Sequence, residues 1–364
     1  MNKEFLQVNQ RYSIKEIFYK KTINPNRIKV SSKSIFIQIF VENYQVSNYK
    51  TNMKILVTGG AGFIGSNLAK RLLNDGHEVV VLDSLLRGNK LDEETLSKIT
   101  FYHEDIRNQE AVNKASEGCD FIFHLAAVLG VDVVAESPVE TMDVEVIGTR
   151  NVVNACYTNG INNLLYASTS GIYSSTEIVD DVLTEKMLVD PHTSYAMAKR
   201  YNELYLKSNF DEKGLNSVSV RFFNVYGHNQ DNRMVVPRFF EQCIAGEDIT
   251  VYGNGKQTRD FTYIDDTVEA CIRLMNTKGW NVVNIANEAE WCVADLAKEI
   301  KEVTNSTSEI MFVENAHELN GYEVARRIGS SEKLFELTGF KPLKSLKDGL
   351  EKIYQINYAT QMHS

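Results

Sequence analysis

From Met53 onward, short unbroken apolar runs alternate with segments whose apolar residues recur every three or four positions. The runs at 54–58, 78–83, 100–103, 120–125, 163–168 and 217–222 predict strands, and the periodic segments between them, notably 63–74, 140–158 and 195–209, predict helices. Strands that are apolar throughout, rather than at every second residue, belong to a parallel sheet covered on both faces. Alternation of strand and helix through short turns predicts an α/β fold, a doubly wound parallel sheet. Past Asn224 the alternation loosens. The stretch from Tyr226 to Asp260 carries Gly227, Pro237, Gly246, Gly253 and Gly255 and predicts loops around a binding cleft. Helices at 265–276, 294–303 and 345–355 and short strands near 249–252, 282–286 and 310–313 then predict a smaller C-terminal lobe over the carboxyl ends of the sheet strands, where such sheets bind ligands. The expected division is 53–223 with a return segment 259–287 for the sheet domain, and 224–258 with 288–364 for the lobe.

Composition narrows the class without naming the chemistry. The chain has 364 residues, 43% hydrophobic and 24% charged, an ordinary globular profile with room for a sizeable core. Its net charge of −9 argues against nucleic acid as a partner. Residues 1–52 depart from that balance: nine Lys/Arg against three Glu give +6, leaving about −15 for the remainder. This basic extension lies wholly before the first strand, and Met53 reads as a natural start, so the extension is expected to be dispensable. No stretch reaches the roughly 18 apolar residues of a membrane helix. Cys119, Cys156, Cys243, Cys271 and Cys292 are scattered without CxxC spacing, as expected of reduced thiols in the cytoplasm. The histidines show no metal-ligand spacing, and His124, after the strand-like Phe121-Ile122-Phe123, reads as a packed residue. No metal is expected.

The most informative segment is Thr58-Gly59-Gly60-Ala61-Gly62-Phe63-Ile64-Gly65, set between the run Ile55-Leu56-Val57 and the helical pattern from Phe63 to Asn74. Strand, glycine-rich turn and helix in this order make a pyrophosphate site. Gly59 allows the tight turn, Gly62 lets backbone approach the phosphates, and Gly65 lets helix and strand pack closely. The helix N-terminus faces the ligand with unpaired N–H groups and the positive end of its dipole. The second strand ends in Asp83, 18 residues past Gly65. A carboxylate there accepts hydrogen bonds from an adenosine ribose diol and repels a 2′-phosphate, which favours NAD(H) over NADP(H).

Tyr195 and Lys199 are spaced i, i+4 on a predicted helix and share a face. A phenol with an ordinary pKa of about 10 is a poor base at neutral pH, and a neighbouring ammonium brings it toward the working range. Such a tyrosine can take a proton from a hydroxyl while hydride leaves the same carbon. Alone, Tyr-x-x-x-Lys recurs on ordinary surface helices; downstream of a dinucleotide fingerprint it reads as the catalytic pair. The fifth strand ends in Ala167-Ser168-Thr169-Ser170-Gly171-Ile172-Tyr173. Any of its three hydroxyls could bond the reacting oxygen, or equally satisfy turn backbone.

Taken in order, Thr58–Gly65, Asp83, Asp105-Ile106, His124–Ala127, Ser168–Tyr173, Tyr195–Lys199, Arg221–Asn224 and Gly255–Asp266 resemble the extended short-chain dehydrogenase/reductases of the NAD-dependent epimerase/dehydratase family, which act on nucleotide sugars. The resemblance runs from Met53 to about Leu350. It implies that Gly59, Gly62, Phe63, Ile64, Asp83, Asp105, Ile106, Leu125, Ala126, Ala127, Tyr195, Lys199 and Phe222 bind NAD, with Asp105 and Ile106 at the adenine and Phe222 beside the nicotinamide. It implies Thr169, Tyr195 and Lys199 as the catalytic set. Thr169 and Asn224 would contact the sugar nucleotide, Tyr252 would stack on its base, and Arg259 would pair with its diphosphate. A homodimer through the helices at 140–158 and 195–209, and a UDP-sugar substrate, are further implications.

Several positions depart from the family pattern. Dehydratases carry Asp-Glu directly after the catalytic Thr, where this chain has Ser170 and Gly171. Decarboxylases read Ser-Thr-Ser-Glu, and Gly171 removes that Glu. Glu145 stands where Asn is usual before Gly148-Thr149, and the usual Arg-x-Gly-Asp is missing near 320–326, with Arg326 or Arg327 as replacements. Thr, Tyr and Lys remain, sufficient for oxidation and reduction. The expected activity is C4 epimerisation of a nucleotide-diphosphate sugar through a 4-keto intermediate. The alternatives are a 4-keto-sugar reductase or dehydrogenase with net NAD(H) turnover, and a non-catalytic NAD-binding protein.

Overall fold

The computed structural model describes residues 52–128, 134, 136–173, 182–314 and 324–359. The basic extension therefore lies outside the described residues, apart from its last residue. Seven parallel strands form the central sheet in the order β10-β6-β5-β4-β1-β2-β3. They are β1 Lys54–Thr58, β2 Glu78–Asp83, β3 Thr100–His103, β4 Phe121–His124, β5 Asn163–Thr169, β6 Asn216–Phe222 and β10 Trp280–Ile285. The order reverses direction between β1 and β4, and at that switch point the carboxyl ends of neighbouring strands diverge to leave a crevice. Buried apolar residues lie on both faces of these strands, which explains the absence of polar alternation in the sequence.

Helices α1 Phe63–Asn74, α2 Glu93–Leu96, α3 Gln109–Ala115, α4 Pro138–Asn159 and α5 Ser194–Lys213 connect the first six strands. Asp92, Asn108 and Thr193 each cap a helix by accepting a backbone N–H with the side chain, while Gly160 and Gly214 close α4 and α5. Ser170–Tyr173 form a single 3₁₀ turn after β5.

The stretch 226–260 is more ordered than its glycines and proline suggest. It holds α6 Val235–Ala245 and β8 Ile249–Tyr252, and it ends inside β9 Thr258–Tyr263. Val236, Phe239, Phe240 and Cys243 bury one face of α6. Pro237 falls in the first turn, where no helical N–H is needed, and Gly246 closes the helix. The punctuation thus delimits a helix rather than a loop. Strand β7 Asn224–Tyr226 pairs with β9, which also pairs with β11 Glu290–Cys292 and with β13 Arg326–Arg327. Strand β8 pairs with β12 Ile310–Val313. Helices α7 Ile264–Leu274, α8 Val293–Thr304, α9 Glu332–Thr338 and α10 Leu346–Asn357 complete the described chain. Among the described residues no helix is long and apolar enough to cross a membrane.

Candidate active site

The turn after β1 has the shape that a pyrophosphate needs. Gly59 adopts φ +68°, and a Cβ there would lie 2.6 Å from the Ala126 amide nitrogen. A Cβ on Gly65 would meet the Gly59 carbonyl oxygen at 2.2 Å, so the crowding comes from the turn itself as the helix starts over it. Gly62 caps α1, whose intrahelical bonds begin with the Ser66 N–H on the Gly62 carbonyl. That leaves the amides of Phe63, Ile64 and Gly65 without helical acceptors. The half-buried Leu125, Ala126 and Ala127 flank the same turn after β4.

Asp83 sits behind this cradle. Its carboxylate accepts the Ala61 N–H at 2.9 Å and the Leu85 N–H at 2.8 Å, which fixes both oxygens at the end of β2. Burial raises its pKa above the ordinary carboxylate value, against those two hydrogen bonds. The cradle and the acidic strand end together fit an adenine dinucleotide. The next two expected contacts look different. Asp105 pairs with Arg107 through both carboxylate oxygens, at 3.0 and 2.6 Å, and Ile106 turns its side chain into the core against Gly148. The Asp105 carboxylate, 41% exposed, keeps acceptor capacity beside its Arg107 partner, while Ile106 offers its backbone.

His124 is a packed residue, as its surroundings require. Thr149 spends its hydroxyl proton on the Glu145 carbonyl at 2.8 Å, so its oxygen accepts from His124 Nε2–H at 3.1 Å. His124 Nδ1 then accepts the Thr58 hydroxyl at 2.8 Å. Burial, reinforced by Lys199, pushes the imidazole pKa down to about 3 and keeps the ring neutral.

Thr169 and Phe222 are direct partners in the β5–β6 register, so they share a face at the carboxyl edge of the sheet. The Gly171 N–H donates to Thr169 Oγ1 at 3.0 Å, leaving the threonine proton available to another oxygen. A Cβ on Gly171 would lie 3.2 Å from that Oγ1, so a longer side chain at 171 would start beside the hydroxyl. Helix α5 packs on β5 and on the 170–173 turn, and the Thr193 cap places Tyr195 in its first turn. Lys199 follows one turn later, its ammonium 5.4 Å from the Tyr195 ring centroid and 4.8 Å from that of Tyr166. It forms a 2.9 Å ion pair with Glu145 of α4, both side chains being buried. Burial first, and the Glu145 charge second, hold the Tyr195 phenol well above its ordinary value.

Beyond the central sheet, Asn224 opens β7 opposite Phe261 of β9. Arg259 and Arg327 are direct partners across the β9–β13 register, so two guanidinium groups share one face. Arg259 Nη1 donates to the carbonyls of Thr258 and Val324 at 2.8 and 2.7 Å. Arg327 Nε is buried without a hydrogen-bond partner among the described residues, and burial together with Arg259 pushes its pKa down to about 10. Arg326 points elsewhere and holds Glu290 with two bonds of 2.9 and 3.0 Å. Of the two candidate replacements for the missing arginine motif, Arg327 is the one beside Arg259. Tyr252 ends β8, well exposed, and carries the Arg238 guanidinium 4.7 Å above its ring. One stacking position on it is therefore already taken.

Among the described residues there is no metal-ligand cluster. The ion pair made by Glu145 and the position of Arg327 were not legible as functional features. Glu145 stood out only as a departure from Asn, and Arg327 only as one of two adjacent arginines.

Comparison with known proteins agrees with this architecture. A family model described as "NAD dependent epimerase/dehydratase family" matches residues 55–286. A UDP-N-acetyl-alpha-D-glucosaminuronate decarboxylase of Bacillus cytotoxicus is 35% identical over 312 residues, covering 83% of this chain and 97% of the relative. The structure of a UDP-glucose 4-epimerase from Thermotoga maritima with UDP-glucose superposes with a TM-score of 0.79 at 30% identity, covering 86% of this chain and all of that one. The Thermus thermophilus UDP-glucose 4-epimerase, in complex with NAD, gives a TM-score of 0.76 at 30% identity, covering 83% of this chain and 98% of its own.

Proposed function

We propose, for a chain that belongs to the NAD-dependent epimerase/dehydratase family, that it inverts C4 of a UDP-sugar by oxidation to a 4-keto intermediate and re-reduction. What supports this is the carboxyl edge of the sheet: the 170–173 turn that follows Thr169 carries no carboxylate, and Tyr195 and Lys199 lie on the helix that packs on it. NAD, held by the Gly59–Gly65 turn and Asp83, would supply the acceptance of hydride from C4 and its return. Thr169 holds the C4 oxygen by donating its free proton, and Tyr195 accepts the hydroxyl proton and later returns it. Lys199 supplies the positive charge that makes a phenolate attainable. Arg259 and Arg327 grip the diphosphate with Asn224, and that grip lets the keto sugar turn over without leaving.

A second reading is favoured by the Bacillus relative, which is named as a decarboxylase. In a 4-keto uronic acid the ketone is β to the C6 carboxylate, so carbon dioxide can leave once C4 is oxidised. The same Thr, Tyr and Lys would serve. The test is to incubate the protein with UDP-glucose, UDP-N-acetylglucosamine and their uronic acids, following the sugar by NMR and the NADH absorbance band. Inversion without net NADH supports the epimerase. Carbon dioxide and a pentose product replace it with the decarboxylase, and stoichiometric NADH turnover replaces it with a dehydrogenase or reductase.

The same reading includes a cytoplasmic homodimer through α4 and α5, whose outer faces expose Met142, Ile147, Met197, Tyr201 and Leu204. It also assigns the sheet residues to the cofactor and the segments after Asn224 to the sugar nucleotide.

A further inference from the structure

We propose that Glu145 is a positioning residue for the Tyr195–Lys199 pair: its buried carboxylate holds the Lys199 ammonium and keeps Tyr195 as a phenol in the resting site. This rests on Tyr195 being the proton-transfer group.

The geometry is specific. Glu145 Oε2 lies 2.9 Å from Lys199 Nζ, and both side chains are almost fully buried between α4, α5 and β5. Asn202, one turn past Lys199, donates to the Glu145 carbonyl at 3.0 Å and to the Tyr166 hydroxyl at 2.9 Å. The backbone that carries Glu145 is thereby tied to both neighbouring elements. Burial raises the pKa of the carboxyl, opposed by the Lys199 ammonium, the Val128 amide and the Tyr166 hydroxyl.

The charged and titratable groups around Tyr195 leave Glu145 as the anion that acts on it. From α4 comes Glu145 itself. From β5 comes Tyr166, whose own hydroxyl is held well above its ordinary value by burial. From β4 comes His124, neutral at its position beside Thr58 and Thr149. Further along α5, Glu203 is met by Arg221 at 2.8 Å and by Arg200 at 2.9 Å. The asparagine of the family pattern would leave the Lys199 charge unopposed, and an unopposed ammonium favours phenolate. Here a carboxylate answers it, so Tyr195 keeps its proton at rest. It becomes the proton acceptor that C4 oxidation needs only once Lys199 is drawn away from Glu145. Phenolate then forms only at high pH, or when another group takes Lys199 from Glu145.

The test is a pH titration of the full chain carrying ¹³Cζ-labelled tyrosine, read by NMR without added nucleotide, with Tyr195→Phe to assign the resonance. The wild-type Tyr195 signal is expected to remain that of a phenol past pH about 10. In Glu145→Gln the midpoint is expected to fall by at least one unit, a tenfold loss of proton affinity, while Glu145→Asp keeps it high. A wild-type midpoint at or below about 10 overturns the proposal, and that measurement stands even if the Gln variant does not fold. An unchanged midpoint in a folded Gln variant overturns it as well. Because no substrate is present, a mistaken substrate assignment leaves this result intact. On whichever nucleotide sugar is turned over, the acid limb of kcat/KM should move down with the midpoint, whereas a merely structural role would lower the rate at every pH.

Discussion

Arg221 and Glu203 meet side-on in the core, Nε to Oε1 at 2.9 Å and Nη2 to Oε2 at 2.8 Å. The pair joins β6 to α5, and it recruits further groups, Arg200 of α5 among them at 2.9 Å from Glu203. Ser168 of β5 donates its hydroxyl to Glu203 at 2.7 Å, and Tyr173 accepts Arg221 Nη1 at 2.7 Å while donating to Asn284 of β10 at 2.8 Å. The network therefore ties the strand that ends at Thr169 to the helix that begins beside Tyr195. A buried arginine is tolerable here because its fork is filled.

Removing one member should be costly. Glu203→Ala leaves the Arg221 guanidinium buried and unpaired and should lose about 3–5 kcal/mol of stability. Replacing both residues, as Glu203→Leu with Arg221→Met, should cost clearly less, because no fully buried charge is stranded and Arg200, 30% exposed, can turn to water. Urea denaturation of the two variants checks this; equal losses would mean that the pair is not the source.

Tyr195→Phe should keep the fold and the cofactor, since the ring stays in place, and lose about 10²–10⁴-fold in turnover. Turnover of the UDP-sugar and the NAD content of the purified protein are the two readouts. A rate near wild type would remove the tyrosine from the chemistry.

The two arginines after β9 make a sharper contrast. Arg327→Ala and Arg259→Ala should each weaken UDP-sugar binding by about 10- to 100-fold, the worth of a charge-assisted hydrogen bond. Arg326→Ala should leave it nearly unchanged, because its guanidinium is engaged by Glu290. Calorimetric titration with UDP-sugar separates the three. A large loss in the Arg326 variant and none in the Arg327 variant would reverse the assignment.

The sheet and the dinucleotide turn were legible because their signals are local. Apolar runs, one glycine cluster and an acid at a strand end leave few arrangements open. Helix α6 was hidden by Pro237 and Gly246, which read as loop residues until the first-turn position of the one and the cap position of the other are known. Strand β13 has only two residues, too few for any periodicity. The Arg259–Arg327 and Glu145–Lys199 relationships depend on register and on the packing of distant helices. No spacing along the chain encodes them. Asp105 shows the converse: its position was legible, while its engagement by Arg107 two residues later depends on a side-chain conformation.

Asp83 should decide which dinucleotide is accepted. Its carboxylate is fixed by two backbone N–H groups, so it cannot swing away from a 2′-phosphate. Asp83→Asn removes the charge yet keeps an acceptor, and should narrow the preference for NAD⁺ over NADP⁺ by about tenfold or more. Direct binding of the two dinucleotides measures the ratio. An unchanged ratio would place the discrimination elsewhere.

His124 should leave a mark on the acid limb of stability. The folded protein holds it neutral down to pH about 3, whereas the unfolded chain protonates it near the ordinary value of about 6.5. Between those values the unfolded state binds the extra proton. The stabilisation is therefore complete above about 6.5 and is lost as pH falls, by up to about 1.4 kcal/mol per unit. Asp260 works against it over part of the range. Burial raises that carboxyl to about 6 although it accepts the Asn287 and Glu288 N–H groups, so the folded state gains a proton there first. The comparison must then be between chains rather than between pH values. His124→Gln can reproduce both hydrogen bonds without the titration, so its urea midpoint should fall less steeply than wild type from pH 6.5 to 4.5. Parallel curves would mean that His124 is protonated in the fold, and the Thr58 and Thr149 contacts would then need a different proton arrangement.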